Sequence, residues 1–375
     1  ALSAQTVDMR FADPDTATAI LSGQRDSYFE KMAAADTAVR LLSPEPVPLD
    51  RLKQVYANGA RSFSDTEKAQ LRALIDAEQA KIDRLADLLP GTVLLIGIGP
   101  MIEGGLPHTR ANAILLPTGP QGLPPRATRE GLDAKLEQRR NGAGGGAQRR
   151  GPRQRGREGP PAPPTPEESG DADADPSAAA GEAGQSADQS AGQNGAQKRG
   201  LVMRLAEQGR LTELFYHELF HILSRQVADR HDSLYGLINF SPCQGFDLPE
   251  PYAGRVITNP DAPVNRHYVT VEADGASANV VPLLYAVSRT YDPTRRPPGF
   301  AGQFRTGFME VRVTENGRCE VVNGRDGTAQ IYRRDDLDGL TEAVGGNTGY
   351  LIHPEEILAD NFALLMTGKR PRDPW

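Results

Sequence analysis

The chain has 375 residues, which is long enough for one to three domains. Its net charge of −7 argues against an affinity of the whole protein for nucleic acid or for an anionic membrane. The longest apolar run, near Val93–Ile98, has the length of a strand, so no membrane span is predicted. Hydrophobic residues (38%) suffice for a core, but 39 glycines and 30 prolines indicate that part of the chain does not fold.

Residues 1–90 are predicted to be mostly helical. Apolar residues at three- and four-residue spacing predict helices over Thr16–Leu21, Tyr28–Leu42 and Asp65–Leu89. We interpret this region as a helical layer that packs on the part of the chain that follows.

In residues 91–136 the helical spacing of apolar residues gives way to short, continuous apolar runs. Thr92–Gly99 and Asn112–Pro117 are predicted to be buried strands because of their length and their branched residues. The Gly97-x-Gly99 turn between them lacks a third glycine, a following helix and a Lys-Ser/Thr pair. It therefore does not predict a phosphate-binding loop.

Residues 137–199 are interpreted as a disordered, low-complexity insertion. From Asn141 to Lys198 the sequence has almost no large apolar residue, so it cannot bury enough surface to offset its ordering entropy. Its arginine-rich first half could bind RNA, although a solvated spacer is the more common explanation for such a composition.

Residues 200–375 are predicted to combine helices with two β-hairpins. Proline and acidic residues suit the first turn of a helix, and Asp-Gly and Asn-Gly dipeptides suit tight hairpin turns. The predicted elements are helices over Leu211–Gln226, over Ser233–Phe240 and from Pro354, and hairpins around Asp274-Gly275 and Asn316-Gly317.

The strongest chemical signal is the H-E-x-x-H pattern of His217, Glu218 and His221. Two histidines four positions apart lie one turn apart on the same face of a helix, where both imidazoles can bind one zinc ion. Glu218 points in a different direction, from which it can reach a water on the metal without ligating the metal. The flanking residues are uncharged, as a buried metal-bearing helix requires.

A catalytic zinc needs a third protein ligand. The extended pattern with a third histidine requires glycine at position 224 and histidine at position 227, where the chain has Ser224 and Val227. His231 would have to fold back from the end of the helix. Glu356 and Asp360 lie four apart on the last predicted helix, so Glu356 could bind zinc while Asp360 orients a ligating imidazole.

H-E-x-x-H on one helix and E-x-x-x-D on a later helix resemble the gluzincin clan of zinc metallopeptidases, which includes the thermolysin-like enzymes. The resemblance covers these two helices and the strands before the first of them. It implies zinc ligation by His217, His221 and Glu356, a general base at Glu218 and a supporting role for Asp360. The expected fold is α+β and zincin-like, with an N-terminal helical region, a small mixed or antiparallel sheet, an active-site helix and a C-terminal glutamate helix.

The sequence therefore predicts a zinc-dependent peptidase that acts on peptide or protein substrates. An oxyanion donor is expected among residues between the two ligand helices, with four candidates: His267, Tyr268, Tyr350 and His353. Two alternatives stay open, a non-catalytic zinc-binding scaffold and a zinc amide hydrolase of small molecules. The intact Glu218 argues against the scaffold, because a purely structural site has no use for a base at that position.

The expected location is secreted or periplasmic, with the cytoplasm as the alternative. A small-x-small pattern at Ala1–Gln5 is consistent with the remnant of a cleaved export signal, and equally with an arbitrary boundary. Cys243 and Cys319 could pair in an oxidising compartment or remain as two buried thiols. Their spacing does not predict a cysteine zinc site.

Overall fold

A computed structural model describes residues 6–119, 200–296 and 299–372. These residues form an α+β fold with two β-sheets. The predicted disordered insertion, residues 137–199, lies outside the described residues. None of the helices in the described ranges has the length and apolar character needed to cross a bilayer.

The first sheet is mixed and has five strands in the part of the chain that the structure describes. Its centre is parallel, because β3 pairs in parallel with β1 on one side and with β5 on the other. The short strands β2 and β4 pair antiparallel with β3 and β5. The strands are β1 (Asp8–Phe11), β2 (Ala60–Arg61), β3 (Thr92–Ile98), β4 (His108–Arg110) and β5 (Ala113–Pro117).

The N-terminal region supplies helices to this sheet and also two of its strands. The strands predicted over Thr92–Gly99 and Asn112–Pro117 are confirmed as β3 and β5, while β1 and β2 lie in the region predicted to be mostly helical. Residues of β1 alternate between exposed and half-buried, so the strand carries no apolar run that identifies it in the sequence. The helices of this half are α1 (Pro14–Leu21), α2 (Ala34–Arg40), α3 (Leu49–Ala57) and α4 (Asp65–Ile82).

Two of the predicted N-terminal helices are interrupted. Tyr28–Leu42 divides into a 3-10 turn at Tyr28–Lys31 and helix α2, and Asp65–Leu89 divides into α4 and a 3-10 turn at Asp83–Leu88. Helix α4 begins as expected for its sequence, because the Ser64 hydroxyl accepts from the backbone of Glu67 and the Glu67 carboxylate accepts from the backbone of Ser64. Helix α3 is not among the predicted elements.

The second sheet is antiparallel and has seven strands within the described residues, with β10, β9, β8, β7 and β12 in spatial order and β11 and β6 at its margins. Both predicted hairpins are confirmed as β7–β8 and β9–β10. Asp274 and Gly275 have positive φ angles of 52° and 77°. A two-residue hairpin turn of type I′ requires positive φ at both of its central residues. The strands are β6 (Phe240–Pro242), β7 (His267–Ala273), β8 (Ala276–Ala286), β9 (Phe304–Val313), β10 (Cys319–Val321), β11 (Ile331–Tyr332) and β12 (Leu337–Asp338).

Five helices complete the described part of the C-terminal half. The prediction for Ser233–Phe240 is partly wrong, because the helix ends at Gly236 and Phe240 begins a strand. The helices are α5 (Leu201–Glu207), α6 (Leu211–Gln226), α7 (His231–Gly236), α8 (Leu340–Val344) and α9 (Pro354–Met366).

Helix α6 lies between two hydrophobic cores. Phe215, Leu219 and Ile222 pack in the core of the first sheet, whereas Phe220 packs in the core of the second sheet together with Ile357 of α9. A helix that is covered on opposite sides must be apolar around most of its circumference. This explains why the residues flanking the H-E-x-x-H pattern are uncharged.

Cys243 and Cys319 form a disulfide, which resolves the two alternatives left by the sequence. Their Cα atoms lie 5.4 Å apart, and both residues are buried with Val281 and Val311 on one side of the second sheet. The bond joins the segment after β6 to the start of β10.

A buried ionic network connects the N-terminal region to the second half of the chain. The Arg40 guanidinium pairs with Asp36 and with Glu103 (3.0 Å to Glu103 Oε1), and it also donates to the carbonyl oxygen of Thr258 at 2.6 Å. The Asp36 carboxylate accepts a hydrogen bond from the Thr258 hydroxyl at 2.7 Å. Loss of one partner from such a buried pair costs about 3–5 kcal/mol, so the segment that carries Asp36 and Arg40 is integral to the described fold.

His108, on β4, is expected to make folding stability depend on pH. Burial lowers the pKa of His108, although the Glu103 carboxylate opposes this shift. The unfolded chain therefore binds a proton more readily than the folded chain. The stability that neutral His108 contributes is present above the unfolded pKa of about 6.5 and is lost as the pH falls towards the folded pKa.

We expect the free energy of unfolding of the metal-free protein to fall more steeply between about pH 7 and about pH 5 than that of a His108→Gln variant. Urea unfolding at several pH values measures this difference. Parallel curves for the parent and the variant would exclude a contribution from His108.

Candidate metal centre

Three side chains from two helices converge on one point. His217 and His221 come from α6, and Glu356 comes from the first turn of α9. Glu356 Oε2 lies 3.2 Å from His217 Nε2 and 3.8 Å from His221 Nε2. All three residues are buried, and their ligand atoms lie within 4.8 Å of one another. The structure thus brings together the three residues that the sequence predicts as zinc ligands.

Asp360 and Glu355 fix the orientation of the two imidazoles. His217 Nδ1 lies 2.8 Å from Asp360 Oδ1, and His221 Nδ1 lies 3.0 Å from Glu355 Oε1. Both histidines therefore use Nδ1 for a carboxylate and direct Nε2 towards Glu356. This arrangement sets the tautomer and ring position that a metal-ligating histidine needs. Thr348 in turn donates a hydrogen bond to Asp360.

Glu355 is a site residue that the sequence analysis does not identify. Its Oε2 accepts hydrogen bonds from Ser224 Oγ and Tyr235 OH, both at 2.8 Å. Burial alone raises the pKa of Glu355, but hydrogen bonds from His221, Ser224 and Tyr235 outweigh it and lower the pKa, so the carboxylate stays ionised. In the sequence, Glu355 appears only as one of two adjacent glutamates in the first turn of α9. Acidic residues are common at the start of any helix, so this position does not identify a site residue.

The Asn259 amide donates a hydrogen bond to Glu356 and so fixes the orientation of its carboxylate. Asn259 Nδ2 donates to Glu356 Oε1 at 2.7 Å, and the opposite oxygen, Oε2, faces the two imidazoles. Asn259 lies in a proline-rich loop far from both helices in the sequence. No spacing rule links it to them, so only the folded chain reveals this contact.

The electrostatics of the centre favour a positive charge between these groups. Burial lowers the pKa of His217, but hydrogen bonds to Asp360 and Glu356 outweigh it and raise the pKa to about 10. The pKa of His221 is also raised: burial opposes the shift, and the Asp261 carboxylate is the largest cause in favour. A divalent cation would replace the protons that these imidazoles otherwise attract.

The donor set fits zinc. His221 is fully buried, and its Nε2 has no hydrogen-bond partner within the described residues. Two imidazole nitrogens and one carboxylate oxygen form a ligand set known from catalytic zinc sites, which keep a fourth position for water. The chemistry of the residues present is therefore compatible with the metal that the sequence predicts.

Glu218 is buried beside this centre. One carboxylate oxygen of Glu218, one nitrogen of His221 and one oxygen of Asp261 lie within 4.8 Å of one another. Glu218 thus belongs to this second group and not to the group of His217, His221 and Glu356.

Tyr350 is a candidate oxyanion donor whose pKa responds to the charges of the metal centre. Burial raises the pKa of Tyr350 well above 10, and the negative charges of Glu356, Asp261 and Asp360 raise it further. The phenol therefore keeps its proton at neutral pH and can donate it in a hydrogen bond.

The other candidates each have an identified contact. His267 Nε2 pairs with Asp232 at 2.8 Å, and its ring contacts Tyr235 rather than the group around Glu356. Tyr268 packs beside the disulfide. His353 is the N-cap of α9, where its Nδ1 accepts from the backbone of Glu355 at 3.0 Å.

Burial lowers the pKa of His353 to about 4, which agrees with a neutral ring that accepts at Nδ1. His231 does not fold back to the metal centre, because its Nε2 lies 3.0 Å from both the hydroxyl and the carbonyl oxygen of Ser224. Neither histidine belongs to the converging group.

Comparison of the chain with models of protein families, with curated proteins and with solved structures found no significant match.

Proposed function

We propose that this protein is a zinc-dependent peptidase. The observation that carries the proposal is the convergence of His217, His221 and Glu356 on one point, with Glu218 buried beside it. The combination of ligands, oriented imidazoles and an adjacent carboxylate has a clear use in hydrolysis, whereas a structural zinc site would have no use for Glu218. In this proposal the α+β fold is of the zincin type, with the helix pattern of the gluzincins.

The residues would divide the chemistry of peptide hydrolysis between them. Zinc held by His217, His221 and Glu356 would supply a water of near-neutral pKa and polarise the scissile carbonyl. Glu218 would accept the proton of the attacking water on its carboxylate and deliver it to the leaving amine. Tyr350 would donate a hydrogen bond to the oxygen that becomes negative during the attack.

Hydrolysis adds the hydroxyl of water to the acyl carbon and its proton to the departing nitrogen as the C–N bond breaks. No covalent enzyme intermediate is required, because the nucleophile is a water molecule rather than a side chain. Buried carboxylates at Glu355 and Asp360 would keep both imidazoles oriented throughout.

We also propose that the protein works in an oxidising compartment. The disulfide between Cys243 and Cys319 supports this location, because disulfides persist outside the reducing cytosol.

Removal of the metal is expected to abolish peptide cleavage reversibly. The full chain would be incubated with a mixture of unblocked peptides and a denatured protein, and the products identified by mass spectrometry. Cleavage should disappear after treatment with a zinc chelator and return when one equivalent of zinc is added. Protein loaded with one zinc per chain that cleaves neither kind of substrate would overturn the proposed function.

A further inference from the structure

Asp261 is a carboxylate beside the candidate metal centre that the proposed chemistry does not use. Only 8% of its side chain is exposed. One of its oxygens lies within 4.8 Å of Glu218 and of His221, whose Nε2 is buried and has no hydrogen-bond partner within the described residues. Asp261 therefore faces the same point as the base and one of the ligands.

The position of Asp261 is fixed by groups outside the metal centre. Its Oδ1 accepts hydrogen bonds from the backbone nitrogen and the hydroxyl of Thr109, at 2.7 Å and 2.6 Å. Arg225 Nη2 lies 3.7 Å from the same oxygen and 3.4 Å from the carbonyl oxygen of Pro260. Strand β4 and the end of α6 thus hold this carboxylate in place.

Five carboxylates lie at or directly behind the candidate metal centre. Glu218, Glu356 and Asp261 bring three carboxylates to the centre, and Glu355 and Asp360 stand behind the imidazoles. A buried carboxylate favours a ligand group of opposite charge.

The location of Asp261 selects which positive group can reach it. Standard bond lengths place the α-nitrogen of an amino-terminal residue about 2.5 Å from its own carbonyl carbon. The ammonium of a lysine side chain lies at the end of a four-carbon stem and reaches much farther from the scissile bond. A carboxylate within 4.8 Å of both the base and a ligating imidazole therefore matches the α-ammonium group better.

On the basis of the proposed function, we infer that Asp261 binds the free α-ammonium group of the substrate and that the enzyme is an aminopeptidase. The amino-terminal residue would lie with its carbonyl carbon at the metal centre and its ammonium at Asp261. Asp261 forms an ion pair with the substrate and takes no part in bond breaking, so the reaction remains the hydrolysis of one C–N bond by one water.

Paired substrates test this inference. Each peptide would be offered with a free amino terminus and with an acetylated amino terminus, and the products followed by mass spectrometry. The free peptide should lose its first residue, and acetylation should reduce kcat/KM on the order of 10- to 100-fold or more, because a hydrogen-bonded charge pair is lost.

The Asp261→Asn variant should remove this preference. Asparagine keeps an oxygen that can accept from Thr109, so the loop should fold as before, and zinc content should match that of the parent. The kcat/KM for the free peptide should fall on the order of 10- to 100-fold, mainly through KM, with little change for the acetylated peptide. Asp335→Asn, at an exposed position, is the matched control and should behave like the parent.

A binding measurement gives a readout that does not depend on turnover. Calorimetry on zinc-loaded Glu218→Gln protein should detect tighter binding of the free peptide than of the acetylated peptide. The difference should vanish in the Glu218→Gln, Asp261→Asn double variant.

The two proposals fail in different ways. Equal cleavage of free and acetylated peptides would overturn the role of Asp261 and leave the peptidase intact. Equal effects of Asp261→Asn on both peptides would also overturn it, since a merely structural role predicts that result. Failure of zinc-loaded protein to cleave either peptide would overturn the proposed function itself.

Discussion

Replacement of Glu218 by glutamine is expected to lower the rate of peptide hydrolysis by about 10²- to 10⁴-fold without releasing zinc. Glutamine has nearly the shape of glutamate but cannot accept the proton of the attacking water. The imidazoles and Glu356 keep their positions, because their supporting contacts come from Asp360, Glu355 and Asn259. Elemental analysis and kcat on an unblocked peptide measure the two effects on the same preparation.

Glu213→Gln is the matched control for this experiment. Glu213 lies in the first turn of the same helix, where its carboxylate pairs with Lys369. This variant should retain both zinc and activity. Peptide cleavage by the Glu218→Gln protein at the parent rate would contradict the assignment of the base, whatever its zinc content.

Replacement of Glu356 by alanine is expected to weaken zinc binding by roughly 100-fold or more, since loss of a group that merely supports a ligand already costs 10- to 100-fold. The variant lacks the carboxylate oxygen that lies 3.2 Å from His217 Nε2 and 3.8 Å from His221 Nε2. Titration with a competing chelator measures the affinity, and elemental analysis after gel filtration gives the zinc content.

Glu342→Ala controls for the general effect of removing a glutamate from a helix. Glu342 is an exposed residue of α8, and its replacement should leave zinc binding unchanged. If Glu356→Ala protein binds zinc as tightly as the parent and Glu342→Ala protein, the third ligand must be another residue. Asp261 would then be the first candidate to examine, because it belongs to the second group that includes His221.

The sequence predicts those parts of the site that follow from the geometry of a single helix. Residues four apart share a face, so His217 with His221, and Glu356 with Asp360, could each be recognised as a pair. The long helix α6 and both hairpins follow equally from local periodicity and turn chemistry. These inferences need no knowledge of how distant segments meet.

The remaining parts depend on contacts between distant segments. Asn259 and Asp261 lie in a loop without periodicity, and their roles arise only because the loop is held against Glu356, Thr109 and Arg225. Glu355 resembles any acidic residue at a helix start until its contact with His221 is known. Strand β1 is likewise short and half-exposed, and only its pairing with β3 identifies it.

The ionic network around Arg40 has a consequence for any shortened form of this protein. Asp36 and Arg40 hold Thr258 by its backbone and its hydroxyl, and the next residue, Asn259, holds Glu356. A fragment that began at residue 91 would keep every predicted ligand yet lose the anchor of this loop. Such a fragment should be a poor minimal unit for engineering, because the position of the predicted ligand Glu356 depends on amino-terminal residues that lie outside the candidate metal centre.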